Sequence, residues 1–380
     1  MHGKKILFLI SETFPYGRAY AARTRALVKL FKSAGFSVTV LCDEKSDGAD
    51  SFTECEISEL GKKYSGLKKL FKLPLDYNRR VKELLASGEF GIVVARSMYD
   101  RNDLILHTAK KAGIPFILES CECYNSKSFR KGKADIRYLQ FRHCWNRSYK
   151  KADGVIAISR YLTDFYKKAG LPVVRVPAIL DTSVIDYSDK AHGKPYRLIY
   201  SGDVTGGKEL MSEIFVALDR AGRDFVFDIY GPDSKQIDSE LSDSARSALL
   251  RLGDRVTVHG RVPQSEMRRI IYGADFGIFI RPDRLSSNAG FPTKLGEYLA
   301  SGLPVITNNT GDISLAVVNG ENGFIADGDL TESLCEIFEK ISAGSDMEIS
   351  KMKINARKSA EDVLNPEVYR DSTAEFLNAF

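Results

Sequence analysis

The sequence lacks any apolar run that approaches the roughly 18 to 20 residues of a membrane-spanning helix. Its first residues lead straight into a short apolar stretch, which is too short and too soon polar for a signal peptide. Cysteine is scarce, with 6 in 380 residues, and no spacing between the cysteines is that of a common metal site. We therefore expect a cytoplasmic protein with reduced thiols and no bound metal.

The length and the charge distribution both indicate two parts. A chain of 380 residues is too long to fold around one hydrophobic core of ordinary size, so two domains are expected. Residues 1–190 contain 34 Lys and Arg against 21 Asp and Glu, whereas residues 191–380 contain 21 against 29. The net charges of +13 and −8 indicate that only the first half meets an anionic partner.

Two basic clusters, 62–80 and 127–151, dominate the first half. In the first cluster Leu67, Leu70, Phe71 and Leu73 interleave with lysines, a pattern typical of a helix that lies on an anionic membrane. An ordinary solvated helix face is the alternative. Nucleic acid is not an expected partner, because no recognised binding motif accompanies the charge.

Short apolar strands alternate with helical stretches along the chain, which predicts parallel sheets of βαβ units. The predicted strands are 5–10, 37–42, 91–95, 115–118, 154–158 and 173–176, then 197–200, 224–230, 255–258, 276–280, 304–306 and 323–326. The polar stretch 186–195 is the predicted linker. We expect an N-terminal domain over 1–190, a C-terminal domain over 191–365, and a final helix over 366–380 that packs back toward the first domain.

The stretch 291–306, Phe-Pro-Thr-Lys-Leu-Gly-Glu-Tyr-Leu-Ala-Ser-Gly-Leu-Pro-Val-Ile, predicts a helix start, a short helix, a stop and a buried strand. The amides of Thr293, Lys294 and Leu295 are then expected to face a phosphate, helped by the positive end of the helix. Glu297 lies four residues after Thr293, hence on the same face, where it can accept hydrogen bonds from a ribose diol. A capped helix entering a core strand is the alternative.

A second candidate loop follows the predicted strand 197–200. Glycines at 202, 206 and 207 allow close approach of backbone to a ligand, and Lys208 is a suitable cation for a leaving diphosphate. Taken alone, this loop is equally consistent with a tight turn.

The stretch 291–306 resembles the donor-site signature of the family 4 retaining glycosyltransferases, group 1 type. The resemblance implies the GT-B architecture, in which two Rossmann-like α/β domains face an interdomain cleft. Lys208 matches the family's phosphate-binding lysine, and Gly202 and Gly231 match its glycine loops. Gly17 and Arg18 match the glycine loop of its first domain.

The chain departs from the family pattern at two positions. Asp203 stands where the family usually has arginine, and Arg281 is the expected replacement. Ala289 stands where the first glutamate of the signature is usual, although Asn288 fits a variant that has asparagine nearby. For the polar position that relatives keep near the sugar, the candidate is Glu122, after the strand 115–118.

The resemblance implies transfer of a sugar from a UDP- or GDP-sugar, with retention, to a glycan or polyprenyl-linked acceptor of capsule, lipopolysaccharide or exopolysaccharide synthesis. The nucleotide-sugar is the substrate, no cofactor or metal is expected, and the basic domain would contact the inner face of the cell membrane. Two alternatives stay open. One is a degenerate transferase that acts as a binding or assembly subunit; the other is a sugar-nucleotide epimerase, against which the Pro-Thr-Lys-Leu-Gly-Glu segment speaks.

Overall fold

The computed structural model describes residues 5–17, 19–98, 100–129 and 131–380. The chain forms two compact units. Unit 1 comprises Met1–Leu180, Asn288–Phe291 and Pro366–Phe380, and unit 2 comprises Asp181–Ser287 and Pro292–Asn365.

Unit 1 contains a seven-stranded parallel sheet and a two-stranded parallel pair. Its strands are β1 (Lys5–Leu9), β2 (Thr13–Phe14), β3 (Ser37–Cys42), β4 (Glu44–Lys45), β5 (Glu56–Glu59), β6 (Phe90–Arg96), β7 (Phe116–Ser120), β8 (Gly154–Ala157) and β9 (Val173–Arg175). Its helices are α1 (Ala19–Ser33), α2 (Gly66–Leu85), α3 (Asn102–Lys111), α4 (Ile136–His143) and α5 (Arg160–Lys168). The strand order is β5-β3-β1-β6-β7-β8-β9, so the direction of winding reverses between β1 and β6.

Unit 2 contains a six-stranded parallel sheet in the order β12-β11-β10-β13-β14-β15. Its strands are β10 (Tyr196–Ser201), β11 (Phe225–Tyr230), β12 (Val256–Gly260), β13 (Phe276–Ile278), β14 (Val305–Asn308) and β15 (Gly323–Ala326). The helices that follow in the chain are α6 (Met211–Arg220), α7 (Ser234–Ser239), α8 (Asp243–Leu252), α9 (Gln264–Tyr272), α10 (Leu285–Ala289), α11 (Thr293–Ala300), α12 (Leu330–Ala343) and α13 (Asp346–Leu364). This strand order is that of a Rossmann sheet, and it reverses between β10 and β13.

The end of the chain belongs to unit 1. After a short 3-10 turn, α14 (Arg370–Asn378) places Leu377, which is fully buried, in the same core as the strands β1, β3 and β6. Phe376 and Phe380 lie over Gly154 of β8, where a Cβ atom would come within 2.7 Å of both rings. Glycine at 154 therefore makes room for the C-terminal aromatic pair.

The two parallel sheets confirm the α/β prediction, and all twelve predicted strands occur with small shifts of their ends. The prediction missed the two-residue strands β2 and β4, and it missed β5, an edge strand whose residues are exposed or half-buried, because none of the three has an apolar run. Proline suits the first turn of a helix, where its missing N–H would be unpaired anyway, so the sequence predicts Pro292 in the first turn. Pro292 instead adopts extended backbone (φ −71°, ψ 113°) and the helix begins at Thr293.

Candidate active site

The carboxyl ends of β10 and β13 form the candidate site of unit 2. In open α/β sheets, ligands bind where the winding direction reverses, because the loops after the two central strands diverge there. The loop after β10 contains Gly202 and Lys208, and the chain after β13 leads to Arg281 and then to α11.

Two glycines of this site are required by close packing. A Cβ atom at Gly231 would lie 2.0 Å from the carbonyl oxygen of Gly202, and Gly231 has φ +111°, which favours glycine. A Cβ atom at Gly202 would lie 2.9 Å from Nζ of Lys294 and 3.0 Å from the hydroxyl of Tyr200. The structure thus brings together Gly202, Gly231 and Lys294, three residues that the sequence analysis placed at the site.

Lys208 is half-exposed and paired within its own loop. Its Nζ lies 2.8 Å from Oδ2 of Asp203. Burial alone would raise the pKa of Asp203, but hydrogen bonds from Lys208 and Thr205 lower that pKa to about 2. The Asp203 carboxylate therefore offsets the charge of Lys208 at neutral pH. Because the pair is exposed and weak, an anion can compete for the ammonium group.

Lys294 lies deeper, on the first turn of α11. Its Nζ is 2.7 Å from Oε1 of Glu209, and the two side chains are 15% and 6% exposed. The ammonium group stands 4.0 Å from the ring centroid of Tyr200 and 5.4 Å from that of Phe279, in cation–π geometry. Burial lowers the pKa of Lys294, and the neighbouring Glu209 carboxylate opposes this effect.

Arg281 is held beside the same group of side chains. Its backbone N–H donates to Oδ1 of Asn308 (2.8 Å), and its guanidinium donates to the carbonyl of Ser287 (3.2 Å). Burial lowers the pKa of Arg281, while the carboxylate of Glu209 acts in the opposite direction. Arg281 remains a cation, since a guanidinium does not lose its proton in proteins.

The start of α11 differs in one respect from the expectation. The N–H of Leu295 donates to the carbonyl of Pro292 (3.1 Å), so this amide is engaged within the first turn. Thr293 is half-buried at the first position of the helix, and Glu297, also half-buried, lies one turn further along the same face. Positive helix-end charge and the Lys294 ammonium together favour an anion here.

The predicted residues of unit 1 are spread over several segments. Gly17 follows the short strand β2, where a Cβ atom would lie 3.0 Å from the carbonyl oxygen of Thr13. Arg18 lies outside the described residues. Glu122 is half-buried in the loop after β7. Asn288 belongs to unit 1, and the next residue, Ala289, accepts a 2.6 Å hydrogen bond from Oγ of Ser159.

The sequence analysis missed a buried ionic cluster at the reversal point of unit 1. Arg96 lies 2.6 Å from Glu12 and 2.9 Å from Glu119, and Arg23 lies 2.8 Å from the other oxygen of Glu119. Burial alone would raise the pKa of Glu119, but Arg23 and Arg96 lower it to about 2. A signal existed: Glu12, Arg96 and Glu119 are single charges at the ends of neighbouring apolar strands.

Within the described part of the chain, no group of three or more His, Cys, Asp or Glu side chains could hold a metal ion. All six cysteines are free thiols. In the same described residues, no helix is both long enough and apolar enough to cross a membrane. The arrangement of unit 2 instead provides cations and close backbone approach, the features that bind a polyanion.

Comparisons with known proteins agree with this architecture. Residues 196–343 match the family described as Glycosyl transferases group 1, and residues 18–179 match the Glycosyl transferase 4-like domain. The amylovoran biosynthesis glycosyltransferase AmsK of Erwinia amylovora is 26% identical over 151 residues. That match covers 39% of this chain and only 35% of AmsK.

Solved structures show the same fold over nearly the whole chain. Sucrose-phosphate synthase from Thermosynechococcus elongatus has a TM-score of 0.73 at 14% identity, covering 99% of this chain and 98% of that one. Anabaena Alr3699/HepE, solved in complex with UDP and glucose, has a TM-score of 0.71 at 14% identity, covering 99% and 100%. At this identity the likeness shows the fold alone. The solved structures therefore show the GT-B architecture, and the two family matches, over 18–179 and 196–343, show that the chain belongs to the group 1, family 4 glycosyltransferases.

Proposed function

We propose that this glycosyltransferase uses a UDP- or GDP-sugar as its donor and transfers the sugar, with retention, to a glycan or polyprenyl-linked glycan of the cell surface. The main support is the group of cations around Gly202 in unit 2. Lys294 lies beside Gly202, Lys208 is paired with the next residue, Asp203, and Arg281 lies near Glu209. Glu297 lies on the same helix as Lys294. UDP and glucose in the Anabaena neighbour, and the role in amylovoran synthesis stated in the name of AmsK, are consistent with this proposal.

The proposed reaction needs positioning and charge stabilisation more than a protein base. The bond from the sugar C1 to the diphosphate oxygen breaks, and the acceptor hydroxyl oxygen bonds to C1 on the same face. The proton of that hydroxyl passes to the departing diphosphate. Lys208, Lys294 and Arg281 would stabilise the negative charge that develops on this leaving group.

Calorimetric titration with UDP and with GDP tests the donor site. We expect the wild type to bind one of them, and Glu297→Ala to weaken that binding about tenfold or more, or ~1.4 kcal/mol, because the ribose contact is lost. Glu336→Ala, at an exposed position of α12, is the matched control and should bind as the wild type does. If folded wild type binds neither nucleotide, the donor-site assignment fails and the binding or assembly subunit becomes the better interpretation.

A membrane-associated acceptor is favoured by the outer face of α2. Phe71 is 64% exposed and Leu75 is 61% exposed, one turn apart, and Lys68, Lys69 and Lys72 around them are also exposed. Burial of the two apolar side chains in the membrane interface would contribute about 1–2 kcal/mol each. Each lysine near an anionic leaflet would add about 1 kcal/mol. We propose that this face rests on the inner surface of the cell membrane.

The apolar side chains of α2 that are exposed for membrane contact differ from those that the sequence indicated. Leu73, which the sequence analysis counted among the outward residues, is only 4% exposed and faces the core. Leu70 is half-buried, and the side chain of Leu67 lies outside the described part of the structure. Leu75 takes their place, because it lies four residues after Phe71 and hence on the same face.

Sedimentation with lipid vesicles tests this surface. The double variant Phe71→Ser, Leu75→Ser should bind vesicles of phosphatidylcholine and phosphatidylglycerol about thirtyfold or more less tightly than the wild type, through loss of apolar burial. Leu250→Ser removes a leucine that is 83% exposed in the acidic unit and should have no effect. Equal binding of the wild type to pure phosphatidylcholine vesicles would contradict an anionic membrane partner.

A further inference from the structure

The two lysines beside the glycine loop differ in their surroundings. Lys208 is 57% exposed and is paired with Asp203 of the same loop. Lys294 is 15% exposed and paired with Glu209, which is 6% exposed. Although Lys294 comes from a helix 85 residues further along the chain, its ammonium group lies against the backbone of Gly202.

The position of the Lys294 ammonium group is fixed from several sides. Glu209 accepts its hydrogen bond, the ring centroids of Tyr200 and Phe279 lie 4.0 and 5.4 Å away, and a Cβ atom at Gly202 would come within 2.9 Å of it. A lysine side chain ordinarily has considerable rotamer freedom, and most of that freedom is already lost here. A cation held in one place can stabilise developing charge without further reorganisation.

Two polar atoms in this group lack partners among the described residues. They are Oε2 of Glu209 and the hydroxyl of Tyr200, both buried. A buried polar atom without a partner costs about 1–3 kcal/mol. The Tyr200 hydroxyl can donate to an anion, whereas the carboxylate oxygen of Glu209 only accepts and is not satisfied by one. The Tyr200 hydroxyl is also the atom that a Cβ at Gly202 would approach to 3.0 Å, so a donor without an acceptor lies beside the glycine loop.

Other charges lie close to this pair. Arg281 lies near the Glu209 carboxylate as Lys294 does, and the Glu297 carboxylate also acts on Lys294. The carboxylate of Glu240 accepts hydrogen bonds from the N–H groups of Gly206 and Gly207, each at 2.9 Å. The cations therefore have carboxylate partners, and the group that stays unsatisfied among the described residues and could donate to an anion is the Tyr200 hydroxyl.

We propose that Glu209 is a positioning residue that holds Lys294 against Gly202 as the principal inner cation for the diphosphate of the donor. This inference rests on the proposed function, since it concerns the same site. It explains how the site retains a second, well-placed cation although residue 203 is an aspartate that binds Lys208. Glu209 itself touches no substrate and acts through Lys294.

Titration with inorganic pyrophosphate, and with whichever of UDP and GDP binds, tests the role of Lys294. Lys294→Met keeps most of the side-chain length and removes the charge, so it should weaken both ligands about tenfold or more. The control is Arg220→Met, which breaks an exposed pair with Glu332 in the same unit and should change neither affinity. A change of less than about twofold in Lys294→Met would overturn the proposal.

Glu209→Asp tests positioning separately from charge. The variant keeps the carboxylate but shortens its reach, so the 2.7 Å contact with Lys294 cannot persist. We expect pyrophosphate binding about fivefold weaker, and less than about twofold additional loss when Lys294→Met is already present, as a double-mutant cycle requires of coupled residues. Glu332→Asp is the matched control on the exposed pair. Because Glu209→Asp conserves every charge, it also serves if Lys294→Met does not fold.

The possible failures are distinguishable. If Glu209→Asp weakens binding by the same factor with and without Lys294, then Glu209 does not act through the lysine and the proposal is wrong. If wild type binds ligand but neither variant changes affinity, only the role of this pair is overturned. If folded wild type binds neither pyrophosphate nor a nucleoside diphosphate, the proposed function fails with it.

Discussion

The reversal points of the two sheets share a topology but differ in how fully their polar groups are paired. In unit 1, between β1 and β6, Arg23 and Arg96 meet Glu12 and Glu119, so two cations face two carboxylates. In unit 2, between β10 and β13, Lys294 is paired with Glu209, but the buried hydroxyl of Tyr200 has no partner among the described residues. A fully paired cluster is what internal stability requires, whereas a buried donor without an acceptor can be completed by an anionic ligand. The same position in the fold can therefore either stabilise the protein or bind a ligand, depending on which residues lie there.

The largest effect should come from breaking the neutral cluster of unit 1. Glu119→Leu leaves Arg23 and Arg96 buried without their shared carboxylate, which should lower the free energy of unfolding by about 3–5 kcal/mol. Urea unfolding followed by fluorescence of Trp145, the single tryptophan, reports on this unit. Glu332→Leu, which breaks the exposed pair with Arg220, should change stability by less than about 1 kcal/mol. A similarly small effect of Glu119→Leu would contradict the stabilising role of the cluster.

Acid should weaken the same cluster through protonation. The pKa of Glu119 in the folded protein is about 2, below its ordinary value of 4.5. Its ionised form therefore stabilises the fold at pH values above 4.5, and that contribution, on the order of 3 kcal/mol, is lost as the pH falls from about 4.5 toward 2. Burial raises the pKa of Glu12, so that residue contributes with the opposite sign.

Unfolding measured by Trp145 fluorescence between about pH 4.5 and pH 2 tests whether protonation of Glu119 causes this loss of stability. The wild type should lose more stability than Glu119→Gln does, because the variant has no carboxyl group to protonate at this position. Parallel pH profiles of the two proteins would show that other carboxylates dominate acid unfolding.

The smallest effect concerns the unsatisfied cluster of unit 2. Tyr200→Phe removes a buried hydroxyl that has no partner among the residues that the structure describes, so the free energy of unfolding should stay the same or rise by up to about 1 kcal/mol. Binding of pyrophosphate should nevertheless weaken, because the hydroxyl lies beside Gly202 where the anion is proposed to sit. Tyr196→Phe, whose hydroxyl bonds Asp346 at 2.9 Å, is the control and should lower stability without changing binding. Tighter pyrophosphate binding in Tyr200→Phe would contradict the interpretation that the cluster of unit 2 binds an anion, in contrast to that of unit 1.

The fold was predictable because apolar strands alternate with helical periods, and burial on both sheet faces leaves that pattern in the sequence. Residues 276–278 and 305–308 were found as strands for this reason. The edge strand β5 has little burial and left no such signal.

The site was only partly predictable. Gly202 was found because a glycine-rich loop allows close backbone approach, and Gly231 because it matches a glycine loop of the family. The partner of Lys294 was not, since helical spacing indicates which face a side chain occupies but not what it contacts. Glu209, next to Lys208 at the end of a glycine loop, has the appearance of a solvated charge until the fold places α11 beside it. The ion pairs of unit 1 likewise join residues up to 96 positions apart.

The aromatic pair at Gly154 has a consequence for synthesis of the protein. Phe376 and Phe380 complete the core of a unit whose other residues are mostly made within the first 180 positions. A ribosome must therefore translate all of unit 2 before unit 1 can close over β8. Domains usually fold in the order in which they emerge. Until its last helix has been made, unit 1 therefore lacks the aromatic pair that covers Gly154.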